Sequence, residues 1–148
     1  MDNFEIKLRR TQRDYLLERV MSESPVQQDT ILAYLILKKT LANGHLVDDD
    51  DDLDRYVEIN SMVTIKTSFG FKFGLRIVRP EEGNIQCNKL SVLSPLGCAL
   101  FGHKEGEKVK WYFQGDEEYA ELVRVTRPRC ELNSVPRLTD LSGENHCQ

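Results

Sequence analysis

Residues 90–106 read L-S-V-L-S-P-L-G-C-A-L-F-G-H-K-E-G, and they leave this chain few ways to fold. Residues 90–93 form a short apolar strand. It stops at Ser94-Pro95, because proline has no N–H for a ladder and its fixed φ suits the start of a helix. The Ser94 hydroxyl can cap that helix. Leu96, Cys98, Ala99, Leu100 and Phe101 then supply about two turns of apolar residues, and Gly102 ends them as a C-terminal glycine does. Gly106 marks a second turn before the alternating stretch 109–113. The pattern predicts a strand, a tight elbow, a short helix and a return strand. A helix this short does not hold alone, so the surrounding segments must bury it.

Those segments follow from hydrophobic period. Upstream, Val63, Ile65 and Phe69 alternate with Thr64, Lys66 and Ser68. After Gly70, the residues Phe71, Phe73, Leu75 and Ile77 alternate with Lys72, Gly74 and Arg76. Downstream, Val109, Trp111 and Phe113 alternate with lysines and Tyr112, Gly115 turns the chain, and residues 119–125 return. The adjacent Leu122 and Val123 break that last alternation and suggest a bulge. The expectation is an α+β protein whose antiparallel sheet of four or five strands curls around one short helix.

The first part of the chain is helical in grammar. Phe4, Ile6 and Leu8 alternate with charged residues as a short extended arm. A helix capped near Thr11 and reaching Met21 would turn Tyr15, Leu16, Val20 and Leu17 inward. After a break at residues 22–25, Ser24, Pro25 and Gln27 predict a second helix over residues 25–42, closed by Asn43-Gly44. Its middle, residues 31–37, is apolar on nearly every side. Ile31 and Leu35 are read against the first helix, with further cover from the sheet or from a second copy of the chain. Residues 48–58 hold seven acids and one arginine, a net charge of −6. Self-repulsion makes that an exposed linker. Cation binding is the weaker reading of the run, since it lacks the glycine of a calcium-binding loop. The expected organisation is a hairpin and acidic linker over residues 1–55, a sheet domain over 56–128, and a mobile tail over 129–148.

Bulk properties narrow the function classes. The net charge of −4 and a pI near 5.4 argue against a binder driven by nucleic-acid phosphates. No apolar run reaches the length of a membrane span, and the N-terminus lacks the basic start and apolar core of a signal peptide, so a cytoplasmic location is expected. Cys87, Cys98, Cys130 and Cys147 form no C-x-x-C pair, and the three histidines are as scattered. No metal and no cofactor is called. Reduced thiols, with Cys98 a small core residue, are the expectation.

The run Leu90-Ser91-Val92-Leu93-Ser94-Pro95-Leu96-Gly97-Cys98-Ala99-Leu100-Phe101-Gly102 resembles the C-terminal domain of the GreA/GreB transcription factors and of the related Rnk-type proteins. Glu107 stands where the family pattern has aspartate. The resemblance covers residues 57–127 and implies an FKBP-like fold. It also implies docking on RNA polymerase beside the secondary channel through the elbow, here Ser94, Pro95 and Leu96. Bottom-up, Ser94 as a cap and Pro95 as a helix start explain their identity with no partner at all. GreA and GreB carry a long coiled coil with acids at its tip. Here the second helix would span only about 25 Å, and its tip offers one carboxylate, Glu23. The layout is closer to the Rnk type, and the implied function is polymerase binding without transcript cleavage. Glu23, Asp48, Asp50 and Asp52 are the carboxylates left for a channel or a cation.

Two other classes stand beside this one. An FKBP-like peptidyl-prolyl isomerase would need an apolar pocket, but alternation places Trp111 and Phe113 in the core. A general interaction module, or a homodimer through the apolar second helix, is the other.

Overall fold

The computed structural model describes residues 6–48, 53 and 55–127. A short strand, β1 (Lys7–Arg9), runs directly into α1 (Arg10–Ser22), and α2 (Gln28–Asn43) packs antiparallel to it. Next comes β2 (His45–Val47), which pairs in parallel with β1, Leu8 opposite Leu46. Three residues are too few for a period to show, so β2 was not legible in the sequence. The larger sheet holds β3 (Met62–Thr67), β4 (Gly70–Val78), β5 (Lys89–Ser91), β6 (Lys108–Phe113) and β7 (Asp116–Thr126), with α3 (Pro95–Leu100) between β5 and β6. Its order is β5-β4-β3-β7-β6.

The sheet is mixed, not wholly antiparallel: β5 runs parallel to β4, Ile77 opposite Leu90. Two 3-10 turns, Pro80–Glu82 and Ile85–Cys87, carry the chain back to the start of the neighbouring position. A direct hairpin would have given the other direction.

The helices begin elsewhere than their cap signals suggested. Neither α1 nor α2 has a side-chain cap, and α2 starts after Gln27, leaving Ser24 and Pro25 in the connecting loop. Leu16 and Val20 are buried as expected, whereas Leu17 is 37% exposed. On α2 the expected inward face is corrected. Ile31 and Leu35 are 40% and 56% exposed, and Ala33, Tyr34, Leu37 and Leu41 are buried instead. Residues apolar all round give the period nothing to select, so the neighbours decide. Here α3 and β6 cover α2.

A bulge redirects β4. Val63 faces Leu75, but two residues later along β3, Ile65 faces Lys72, so β4 holds one extra residue near Gly74. Gly74 has φ +67°, a left-handed conformation that glycine adopts at little cost. Beyond the bulge the alternation reverses. Phe71 and Phe73, read from period as inward, stack on each other at 5.6 Å on the outer side, 51% and 68% exposed.

One apolar cluster joins both parts of the chain. Leu8, Leu16 and Leu37 share it with Val63, Ile77, Phe101 and Leu122. A charged hub sits at the same junction. Glu58, 3% exposed, accepts from Arg9 Nε at 2.7 Å, from Arg127 Nη2 at 3.0 Å and from Gln12 Nε2 at 3.4 Å.

Cys98 is a free, fully buried thiol, as expected; Cys87, by contrast, is disulfide-bonded. Burial pushes the Cys98 thiol well above its usual range. An unfolded thiol ionises near pH 8.5, so above that pH the unfolded state has lost a proton that the folded state keeps. The stability held below about pH 8.5 therefore falls as pH rises, by up to about 1.4 kcal/mol per unit. Denaturant midpoints between pH 8 and 10 should show this slope, and Cys98→Ala should flatten it.

Candidate docking site

The elbow is built by the serine hydroxyl. Ser94 Oγ donates to the Ser91 carbonyl at 2.7 Å and accepts from Gly97 N–H at 3.1 Å. Ser91 Oγ in turn accepts from Leu93 N–H at 3.0 Å. Pro95 occupies the first turn of α3, where its missing N–H is no loss. Gly97 is there for room: a Cβ at this position would run into the Ser91 carbonyl oxygen and lie 3.0 Å from Val92 Cα. Gly102, at φ +86°, ends the helix one residue beyond its C-cap.

Ser94, Pro95 and Leu96 are all half-buried, and all three line one groove of about 560 Å³. Ser94 has its hydroxyl engaged inside the turn, so Pro95 and Leu96 carry the open surface. The opposite wall is aromatic. Phe69 meets Phe113 edge-on at 5.4 Å, and Phe113 lies 5.6 Å from Trp111. Trp111 is buried, as alternation implied, but Phe113 is 39% exposed and forms part of the wall, not the core. Its place follows from the end of β6, where the hairpin leaves the sheet.

The start of α2 closes one end of the groove. The Asp29 carboxylate accepts from the backbone N–H of Gln114 at 2.6 Å and of Gly115 at 3.0 Å. This ties the helix to the β6–β7 turn. The other helix is tied as well: Arg19 Nη1 donates to Glu81 at 3.3 Å. Both tethers lie near the turn between the helices, so the hairpin tip rests on the domain and does not project.

The candidate acids are dispersed. Glu23, at the tip, accepts from the Tyr34 hydroxyl at 2.6 Å and from Arg19 Nη2 at 3.4 Å. Burial first, and the Glu23 carboxylate second, push the Tyr34 phenol up. Asp48 is exposed at the far end of the hairpin, where its carbonyl accepts from Arg9. Asp50 and Asp52, like the expected tail over 129–148, lie outside the described residues. Among the described residues no three metal-ligating side chains stand together.

Sequence reasoning missed Lys72 and Phe69 in the groove. An isolated glycine inside an alternating stretch, Gly74, was the available signal of a bulge.

Known proteins match this arrangement. The family model for the GreA/GreB transcription elongation factor C-terminal domain matches residues 53–127, half of the chain. The chain belongs to the GreA/GreB C-terminal domain family. GreA of Thermotoga neapolitana is 34% identical over 91 residues, which are 61% of this chain and 58% of that protein. GreA of Syntrophobacter fumaroxidans is 27% identical over 128 residues, 74% of this chain and 82% of that one. The chain thus spans little more than half the length of the first of these GreA proteins. A solved GreA/GreB structure from Nitrosomonas europaea superposes with a TM-score of 0.64 at 24% identity, covering 84% of this chain and 99% of that one. That likeness is one of fold, and it extends the GreA/GreB comparison over the helical hairpin as well as the sheet.

Proposed function

We propose that this chain is a non-enzymatic transcription regulator of the cytoplasm that binds RNA polymerase near its secondary channel and does not stimulate transcript cleavage. Family membership supports the partner. The observation that favours the absence of cleavage is the hairpin. Its helices of 13 and 16 residues span about 20 and 24 Å, Arg19 and Asp29 tether them to the domain, and the tip carboxylate of Glu23 is already engaged. A hairpin held in this way has no reach into a channel, and the carboxylate at its tip is not free to hold a catalytic cation there.

In this reading Pro95 and Leu96 form the contact surface and Ser94 holds its shape. The dispersed acids, Glu23 and Asp48, serve no cation, and no nucleic-acid sequence is read directly. Core polymerase immobilised on beads should retain the chain, and Leu96→Arg, with an unchanged circular dichroism spectrum, should weaken retention by at least about tenfold. Retention equal to wild type would remove the elbow from the contact.

The exposure of Ile31 and Leu35 favours one addition, self-association through α2. Sedimentation equilibrium should then show a dimer that Leu35→Lys returns to monomer.

A further inference from the structure

The groove has a built-in polarity that the polymerase contact does not call for. The β4 bulge places Lys72 opposite Ile65, on the concave side of the sheet, and Lys72 lines the groove beside Leu90 and Ile85. A lysine on the concave face of a curled sheet is a bulge's work, because unbroken alternation from Leu75 would have put an apolar side chain there. Among the described residues the only carboxylate in the lining, Asp29, is consumed by two backbone N–H groups. Among the described residues, this mostly apolar and aromatic groove thus carries one cation and no competing free anion.

A second feature adjoins it. On the side of β4 that faces β5, pairing covers only Arg76 to Val78. Residues 70–75 of β4 have no strand on that side among the described residues, and this open edge runs past Lys72. An unpaired edge is a template for an extended backbone, and a groove beside it is a pocket for alternate side chains.

We propose that the groove and the adjoining edge of β4 bind an extended peptide that carries a large apolar side chain next to a carboxylate. The peptide backbone pairs with residues 70–75. The apolar side chain rests against Phe69, Phe113 and Trp111, and the carboxylate meets Lys72. The aromatic wall supplies the apolar contact, and the lysine selects the anion. The elbow residues Pro95 and Leu96 line the same groove, but the edge of β4 takes no part in the polymerase reading, so contacts at residues 70–75 test the peptide site by itself.

Trp111 is the chain's one tryptophan and reports on the groove directly. The full chain is titrated with an N-acetylated, C-amidated hexapeptide centred on Leu-Phe-Asp, while its tryptophan emission and amide resonances are followed. The expected result is saturable binding with a dissociation constant on the order of 0.1 mM, with amide shifts centred on residues 70–75. A matched peptide with asparagine for aspartate, and separately Lys72→Gln with the original peptide, should each weaken binding by about three- to tenfold. Absence of binding at millimolar peptide, or shifts centred away from β4, would overturn the site. Equal affinity for the acid and amide peptides would overturn the role of Lys72, and with it the proposal.

Discussion

Glu58→Ala is expected to lower stability by about 3–5 kcal/mol, the usual result of stripping one partner from a buried ion pair. The Glu58 side chain is 4% exposed and that of Arg9 6%. Removing the carboxylate takes from the buried Arg9 guanidinium its 2.7 Å ion-pair partner. It also frees Arg127, which closes the other side of the hub from the end of β7. The three segments that meet at Glu58 are the N-terminal strand, the loop before β3 and the last strand of the sheet. The loss should therefore be cooperative, seen as a drop of about 10–15 °C in thermal midpoint. The contrast is Arg13→Ala. Its pair with Asp14 is largely exposed, and its loss should change stability by no more than about 0.5 kcal/mol. Pairing Glu58→Leu with Arg9→Met should cost less than Glu58→Ala alone, since the buried cation leaves together with its partner and only the half-exposed Arg127 remains. Calorimetry on these variants decides the point. A Glu58→Ala protein as stable as Arg13→Ala would show that the hub does not hold the two parts together.

Gly97→Ala is the second large effect. The added methyl meets the Ser91 carbonyl and the backbone at Val92, not the end of a flexible side chain. That backbone cannot yield easily, because Val92 is fully buried and its N–H is bonded to the Val78 carbonyl at 2.8 Å. The expected cost is about 3 kcal/mol or more, at the upper end for overpacking a core. Both Ser94 hydroxyl bonds would be lost with it. Gly106→Ala is the control. Nothing lies within 4 Å of its Cβ position, so only its φ of +98° matters, and a cost of about 1–2 kcal/mol is expected. Urea midpoints of the two variants should differ clearly, and equal midpoints would mean that the elbow is not tightly packed against β5.

These two sites show how unevenly structure is written in the sequence. The elbow was legible because each of its residues has one dominant local role: serine as cap, proline as helix start, glycine as terminator. The sheet's alternation identified Val63, Ile65, Leu75 and Ile77 as core. It failed at Phe71 and Phe73, because one bulge reverses every side chain beyond it. The exposed face of α2 was misread for a different reason. Where every position is apolar, burial is assigned by the neighbours, and α3 with β6 chose Ala33, Leu37 and Leu41. The Glu58 hub was illegible, since it joins residues 49 and 69 positions apart. Glu58 looked like the last charge of an acidic run. The groove was half legible. Pro95 and Leu96 came from the motif, whereas Lys72 and Phe113 needed the actual path of β4 and the end of β6.

The proposed function rests on a hairpin folded back on its own domain beside a rigid elbow. Its most direct test uses a stalled, backtracked RNA polymerase complex carrying an end-labelled transcript. With this chain alone, the account predicts no shortened transcript beyond the intrinsic background. When the chain is added in excess over a GreA protein, the yield of cleaved transcript should fall as the two compete for one docking position. Shortened transcripts that accumulate in proportion to this chain would contradict it.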